Sequence, residues 1–335
     1  MAAGLPLCAL QPPLPIEQNR LTVIHEPWQG GHLQAKQWVH DERSAALRWR
    51  LVAAMTVALA LGCEATVAQA PVLVTPPELS TDQYESSPAF TPDGREVFFM
   101  LADPQFARYR LMWSRCEAGR WSVPRPPLFA AEAQILEGDP FITADGAQLY
   151  FISARQGDKK DDFDIWVVGR EADGSYRHAQ RLPEPVNSMD AELLPRITQN
   201  GRLYFGSDRP GGFGQMDIYI ATSISGTWTV ANAGPPLSTA ASEFEADVSP
   251  DERTVVVVAD RGDRSHLYRY EKRDSRWIEI GRIPARTDVF QVGPLLSPDA
   301  DRLLFAQADP ERSGEWYVID LKPTVDPHWP PRCVP

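Results

Sequence analysis

The sequence predicts an all-β fold, a single β-propeller of five four-stranded blades closed by an N-terminal strand, and three observations carry that prediction. One turn-and-strand pattern recurs five times, which favours five blades over six. Each copy places an Asp-Gly, Asn-Gly or related turn just ahead of a short apolar run. The chain also holds 31 prolines and 22 glycines in 335 residues, which disfavours long helices, since proline lacks the amide donor and glycine costs backbone entropy.

The pattern opens at Ser87-Pro-Ala-Phe-Thr-Pro-Asp-Gly94 and returns as Asp139-Pro-Phe-Ile-Thr-Ala-Asp-Gly146 and Leu194-Pro-Arg-Ile-Thr-Gln-Asn-Gly201. Asp247-Val-Ser-Pro-Asp-Glu252 and Gly293-Pro-Leu-Leu-Ser-Pro-Asp-Ala300 complete the set. The turn residues Asp93, Asp145, Asn200, Asp251 and Asp299 lie 52, 55, 51 and 48 positions apart, a blade period. Behind each turn runs an aromatic or β-branched strand: Val97-Phe-Phe99, Leu149-Tyr-Phe151, Leu203-Tyr-Phe205, Val255-Val-Val257 and Leu303-Leu-Phe305. Third strands follow at Arg110–Trp113, Asp164–Trp166, Asp217–Tyr219, His266–Tyr268 and Glu315–Tyr317, and weaker fourth strands are expected around Trp121, Tyr176, Trp228 and Trp277.

The fullest copy, Ser207-Asp-Arg-Pro-Gly-Gly-Phe-Gly-Gln-Met-Asp-Ile-Tyr219, together with the recurrent Pro-x-x-(Ser/Thr)-x-Asp-Gly turn, resembles the WD-like propeller repeat of TolB-type proteins. The resemblance covers residues 84–321 and implies a toroid of four-stranded blades. It is specific for fold and carries little about function. Two departures from the TolB-type pattern are expected: neither an extra N-terminal α/β domain nor a sixth blade is expected to fit in the available length. The fifth repeat stops after its third strand at Leu321, so Val72–Leu79 is expected to supply the outer strand of blade five and cover its edge. Cys333 would then lie near the first and last blades. Cys116 and Cys333 form one disulfide or stay as two free thiols; the sequence leaves both open.

Ahead of the repeats, Arg48-Trp-Arg50 and the apolar Leu51–Gly62 read as a secretory signal spanning 48–70, too short to cross a bilayer, with cleavage expected within 65–70. Residues 1–47 read as an upstream extension, disordered or arising from a wrongly assigned start, and 71–335 as the propeller. Leu61-Gly62-Cys63 permits a second reading, a lipobox with a lipid anchor on Cys63. The expected location is therefore periplasmic or secreted, with the lipid-anchored form as the alternative.

The formal net charge is -12, and the balanced leader leaves all of it on the propeller. That excludes an electrostatic footprint for nucleic acid or an anionic membrane and favours a cationic or neutral partner. Three positions before the repeat proline stand Glu85, Glu137, Glu192, Glu245 and Gln291, with Val248 taken as the proline equivalent in copy four. Gathered at one axial mouth, they would hold a cation, a cationic ligand or a basic peptide; the plainer reading pairs them with backbone amides or with Arg155, Arg209 and Arg261. Phe106, Tyr109, Phe163, Phe213 and Met216 are candidate contacts on the loops joining second and third strands. The recurrent tryptophans read as packing between blades rather than sugar platforms. No cofactor is expected; calcium at Asp158–Asp164 is the one candidate, and its spacing does not match an EF-hand loop.

No Gly-x-Ser-x-Gly elbow or His-Glu-x-x-His motif is present. The reading is a monomeric binding or scaffolding module for a protein, peptide or glycan of the cell envelope. Its rival is a glycan-processing hydrolase using axial carboxylates, which fails if those glutamates turn into the sheets and meet arginines.

Overall fold

A computed structural model describes residues 70–156 and 162–334, so the predicted leader, Cys63 and most of the Asp158–Asp164 loop lie outside the described residues. Twenty strands and no helix occur among the described residues. β1 (Val72–Leu73) comes first in sequence and belongs to the last blade. Blade one is β2 (Tyr84–Phe90), β3 (Glu96–Ala102), β4 (Tyr109–Glu117) and β5 (Arg120–Trp121); blade two is β6 (Glu137–Ile142), β7 (Gln148–Ser153), β8 (Asp164–Gly169) and β9 (Gln180–Arg181). Blade three comprises β10 (Glu192–Ile197), β11 (Arg202–Ser207), β12 (Asp217–Ile224) and β13 (Thr227–Asn232), and blade four β14 (Ser242–Val248), β15 (Thr254–Asp260), β16 (Ser265–Arg273) and β17 (Arg276–Arg282). Blade five is β18 (Gln291–Leu296), β19 (Arg302–Gln307) and β20 (Glu315–Asp320), with β1 on its outer edge. The five antiparallel sheets form the five-bladed propeller that the repeat predicts.

The recurrence of Thr or Ser two positions before Asp has a local cause. Thr91 Oγ1 donates to Asp93 Oδ1 at 2.5 Å, the Arg95 amide donates to the same carboxylate at 3.0 Å, and the Glu96 amide donates to Thr91 Oγ1 at 3.0 Å. Side chains thereby satisfy the amides that a tight turn removes from the ladder. Thr143 with Asp145 and Ser249 with Asp251 repeat the arrangement. The next turn residue needs positive φ: Gly94, Gly146 and Gly201 supply it at 66°, 69° and 76°. Copy four uses Glu252 there at 53°, and its carboxylate reaches back to blade three, accepting from Thr198 at 2.9 Å and pairing with Arg202 at 2.6 Å.

Hydrophobic packing lies between neighbouring sheets rather than in one centre. Phe99 of blade one meets Trp316 of blade five at 5.5 Å, while Phe98, on the opposite face, packs with Phe151 and Trp166 of blade two. Trp121, Trp166 and Trp316 are buried, as inter-blade packing requires. In blade two the fourth strand forms at Gln180–Arg181, while Tyr176, where the sequence pattern centred it, makes only an isolated bridge to Arg170.

Ring closure follows the expected route. Val72 and Leu73 pair antiparallel with Val318 and Tyr317, the Val74 amide donates to the Trp316 carbonyl at 2.9 Å, and Thr75 Oγ1 caps the Trp316 amide at 2.7 Å. The C-terminal segment crosses from blade five to blade one, where Cys333 forms a disulfide with Cys116 of β4, with a Cα–Cα distance of 5.2 Å. Of the two cysteine readings, the disulfide is the one observed.

Every innermost strand carries a register break, between Ser86 and Ala89, Gly138 and Phe141, Leu193 and Arg196, Val292 and Leu295, and, one residue tighter, Glu243 and Glu245. Pro88, Pro140, Pro195 and Pro294 sit in the four wider breaks, where no ladder donor is required. Blade four has Ala246 in that place, so its repeat is misaligned when Val248 stands in for the proline. The true counterpart of Glu85, Glu137 and Glu192 is Glu243, and Glu245 corresponds to Ser87, Asp139, Leu194 and Gly293.

Candidate functional site

The register break aims two positions of every innermost strand at the axis, and their side chains and backbone close it. Ser87 of blade one donates to Asp139 Oδ1 of blade two at 2.9 Å, and Asp139 Oδ2 accepts the Leu194 amide of blade three at 3.2 Å. Arg196 of blade three pairs with Asp247 of blade four at 2.9 Å and donates to the Pro294 carbonyl of blade five at 3.2 Å. Glu245 of blade four accepts the Gly293 amide at 2.7 Å. Gly293 lies against the Ser87 backbone so closely that a Cβ would come within 2.5 Å of its nitrogen, which completes the circuit. This hub joins all five blades and holds three carboxylates, Asp139, Glu245 and Asp247, around one guanidinium that also covers the Phe141 ring at 5.2 Å.

Burial dominates the hub's electrostatics. It pushes Asp139 and Asp247 above the usual carboxylate range, with Arg196 opposing the shift in both. Glu245 is pushed up to about 8 by burial and then by the neighbouring Asp139 charge. A carboxyl whose folded pKa exceeds its unfolded value binds its proton more tightly when folded, so stability is greatest at low pH and declines as pH rises toward that pKa. Between pH 7 and 9 the decline due to Glu245 is expected to be about 1 kcal/mol, and Glu245→Gln is expected to remove it in urea titrations at the two pH values.

Beyond the hub, on the face of the turns between first and second strands, a funnel of about 1000 Å³ opens. Each blade contributes one apolar wall residue at the same register position: Phe90, Ile142, Ile197, Val248 and Leu296. Asp145 and Asp299 stand on the rim, and the Thr143 hydroxyl holds Asp145 below the ordinary carboxylate range. Trp329 and Pro331 of the C-terminal segment complete one side.

Of the residues singled out by the sequence pattern, Glu245 lies in the hub, whereas Glu85, Glu137, Glu192 and Gln291 are engaged elsewhere, each within its own blade junction. Glu85 accepts from the Thr81 amide at 3.1 Å and from its hydroxyl; Glu137 pairs with Arg155 and accepts the Ala131 amide at 2.8 Å. Glu192 accepts from Ser188 at 2.6 Å and pairs with Arg209 at 2.8 Å. Gln291 meets His266 Nδ1 at 2.6 Å and donates to the Arg286 and Val289 carbonyls. Burial raises Glu85 and Glu192 to about 7. Glu243, the fourth counterpart, accepts from Thr239 at 2.6 and 2.9 Å. Arg261, expected beside that acid, instead pairs with Glu279 at 2.9 Å and covers the Tyr268 ring at 3.7 Å.

Of the five loop candidates, Phe213 alone is largely exposed, at 55%. Phe106 packs on Tyr84 and Phe290, with centroids 4.8 and 5.6 Å away, Tyr109 packs on Phe163 at 5.7 Å, and Phe163 and Met216 are buried. At the end of the acidic loop Asp164 pairs with Arg181 at 2.5 Å. Sequence reasoning passed over Asp139, Arg196 and Asp247; the available signal was a further charged residue in the innermost strand beyond its glutamate.

No protein-family model matches the chain, and no curated relative matches it. Among solved structures it is similar to a TolB-type protein from Agrobacterium tumefaciens, with 17% identity over 73% of this chain and 79% of that one and a TM-score of 0.48. TolB from Acinetobacter baumannii gives 17% identity over 73% and 56%, with a TM-score of 0.45. An oligogalacturonate lyase from Vibrio parahaemolyticus gives 15% over 73% and 68%, with a TM-score of 0.42. At such identities and scores these likenesses assign no activity to the chain.

Proposed function

We propose that this propeller is an exported binding module of the cell envelope, and that its funnel receives an apolar segment of a protein or peptide partner. One observation carries the reading: the funnel is a broad concavity with an apolar residue from every blade on its wall and a floor of hydrogen-bonded and ion-paired groups. Such a surface gains by excluding water from apolar side chains, and its size lies at the upper end of ligand pockets. The acidic rim and the net charge of -12 favour lysine or arginine beside the apolar anchor. Glu85, Glu137 and Glu192 are committed to blade junctions, which supports binding over glycan hydrolysis. The predicted leader supports export.

Peptide-display selection on the purified full chain tests this. Enriched sequences are expected to combine aliphatic or aromatic anchors with basic flanks and to bind at roughly micromolar Kd. Val248→Gln with Ile197→Gln, checked for native circular dichroism, is expected to weaken them about tenfold or more. Selected peptides that bind the double variant equally well would remove the funnel from the reading.

A further inference from the structure

A second concavity, of about 450 Å³, lies at the seam where blade five meets blade one. The segment from Val72 to Glu78 forms one side, and the β4–β5 turn with Pro330–Cys333 forms the other. Three independent features of this groove point to the same kind of occupant.

The first is a strand edge with no neighbouring strand among the described residues. β1 is the outermost strand of blade five, and its Val74 amide points inward to Trp316. Antiparallel ladders alternate, so the N–H and C=O of Leu73 face away from β20 toward the open edge. The second is apolar exposure: Val72 and Leu73 are 53% and 48% exposed, an unusual display on a sheet edge. The third is charge. In a chain of net charge -12 the groove gathers Arg120, Arg302 and Arg332. Arg302 is neutralised by Asp320 at 2.8 Å, whereas Arg120 and Arg332 have no ion-pair partner among the described residues. Glu78 is the one other acid on the groove wall.

We infer that this seam groove binds an extended acidic peptide segment of a partner protein. The segment adds to β1 as a further strand, with backbone bonds to Leu73, alternate apolar side chains against Val72 and Leu73, and carboxylates on Arg120 and Arg332. Strand addition supplies affinity through the main chain, and the arginines supply charge selection. A nucleic acid or an anionic bilayer would meet the same two arginines together with the repulsion of the whole chain. The site is separate from the funnel and has the opposite charge preference, so either assignment stands or falls without the other.

The test uses the full chain and a fluorescein-labelled peptide of alternating valine and glutamate, with its valine–lysine counterpart as control, read by fluorescence anisotropy at low and physiological salt. The acidic peptide is expected to bind at roughly micromolar Kd and the basic one at least about tenfold more weakly. Arg120→Glu with Arg332→Glu is expected to reverse that order, and Leu73→Pro, which removes the outward N–H while leaving the inward ladder, to weaken the acidic peptide about tenfold. Both exchanges lie on exposed surface or the sheet edge, and Arg120→Lys with Arg332→Lys is expected to retain binding. Equal binding of the two peptides, no binding of either, or indifference to all the exchanges overturns the inference. So does self-association of the chain that disappears in the charge-reversed variant, which would give the groove to a second copy.

Discussion

Arg196→Met is expected to lower the unfolding free energy by about 3–5 kcal/mol at pH 8, the usual consequence of stripping one partner from a buried ion pair. The side chain is 1% exposed, and its loss leaves Asp139, Glu245 and Asp247 buried with no cation among them. It also frees the Pro294 carbonyl, which links blade three to blade five across the axis. The deficit should shrink at pH 5, where the hub carboxyls of the variant are protonated, because burial already favours their neutral forms. Adding Asp247→Asn should recover part of the loss, and a double-mutant cycle measures the coupling directly. Urea unfolding followed by near-ultraviolet circular dichroism is the appropriate readout. A loss under about 1 kcal/mol at pH 8 would mean that the hub does not depend on this guanidinium.

Opening the disulfide is the second change with a large expected effect. Cys116 and Cys333 are 217 positions apart, so the link constrains nearly the whole propeller; the chain-entropy relation gives about 5 kcal/mol for such a loop, and measured losses run at about 2–5 kcal/mol. The non-covalent closure beside it is a two-residue ladder, Val72 with Val318 and Leu73 with Tyr317. Cys116→Ser with Cys333→Ser should therefore lower the urea midpoint and raise hydrogen exchange first at β1, β20 and the C-terminal segment, while blades two to four retain protection. Uniform loss of protection across all five blades would show that the seam is not the weakest boundary.

How far these features were legible depended on whether they repeat. The turn Asp93 and the strand Val97–Phe99 have counterparts in each copy, and local turn chemistry plus apolar runs placed nearly every innermost and second strand. Closure by Val72 was legible because an unpaired sheet edge at Leu321 needs a partner. The hub was not legible for the opposite reason: Ser87, Asp139, Leu194, Glu245 and Gly293 occupy one register position with five different residues. Their complementarity acts across the ring, between residues about fifty positions apart or, where Gly293 meets Ser87, far more, and no local pattern records it. The missing proline in copy four then hid Glu243 and promoted Glu245 into the wrong set. The loop aromatics misled because Phe106 and Phe163 look solvent-facing by position while their rings fold back against Tyr84 and Tyr109.

Among the described residues, hydrogen bonds, an ion pair and one close backbone approach tie all five innermost strands together across the axis. With the axis so tied, a segment received by the proposed funnel is expected to leave by the opening through which it entered, and a long one to remain on that side. A partner seated on the proposed funnel, against Val248 and Leu296, is expected to leave the opposite loops, with the exposed Phe213, free for a second and unlike contact.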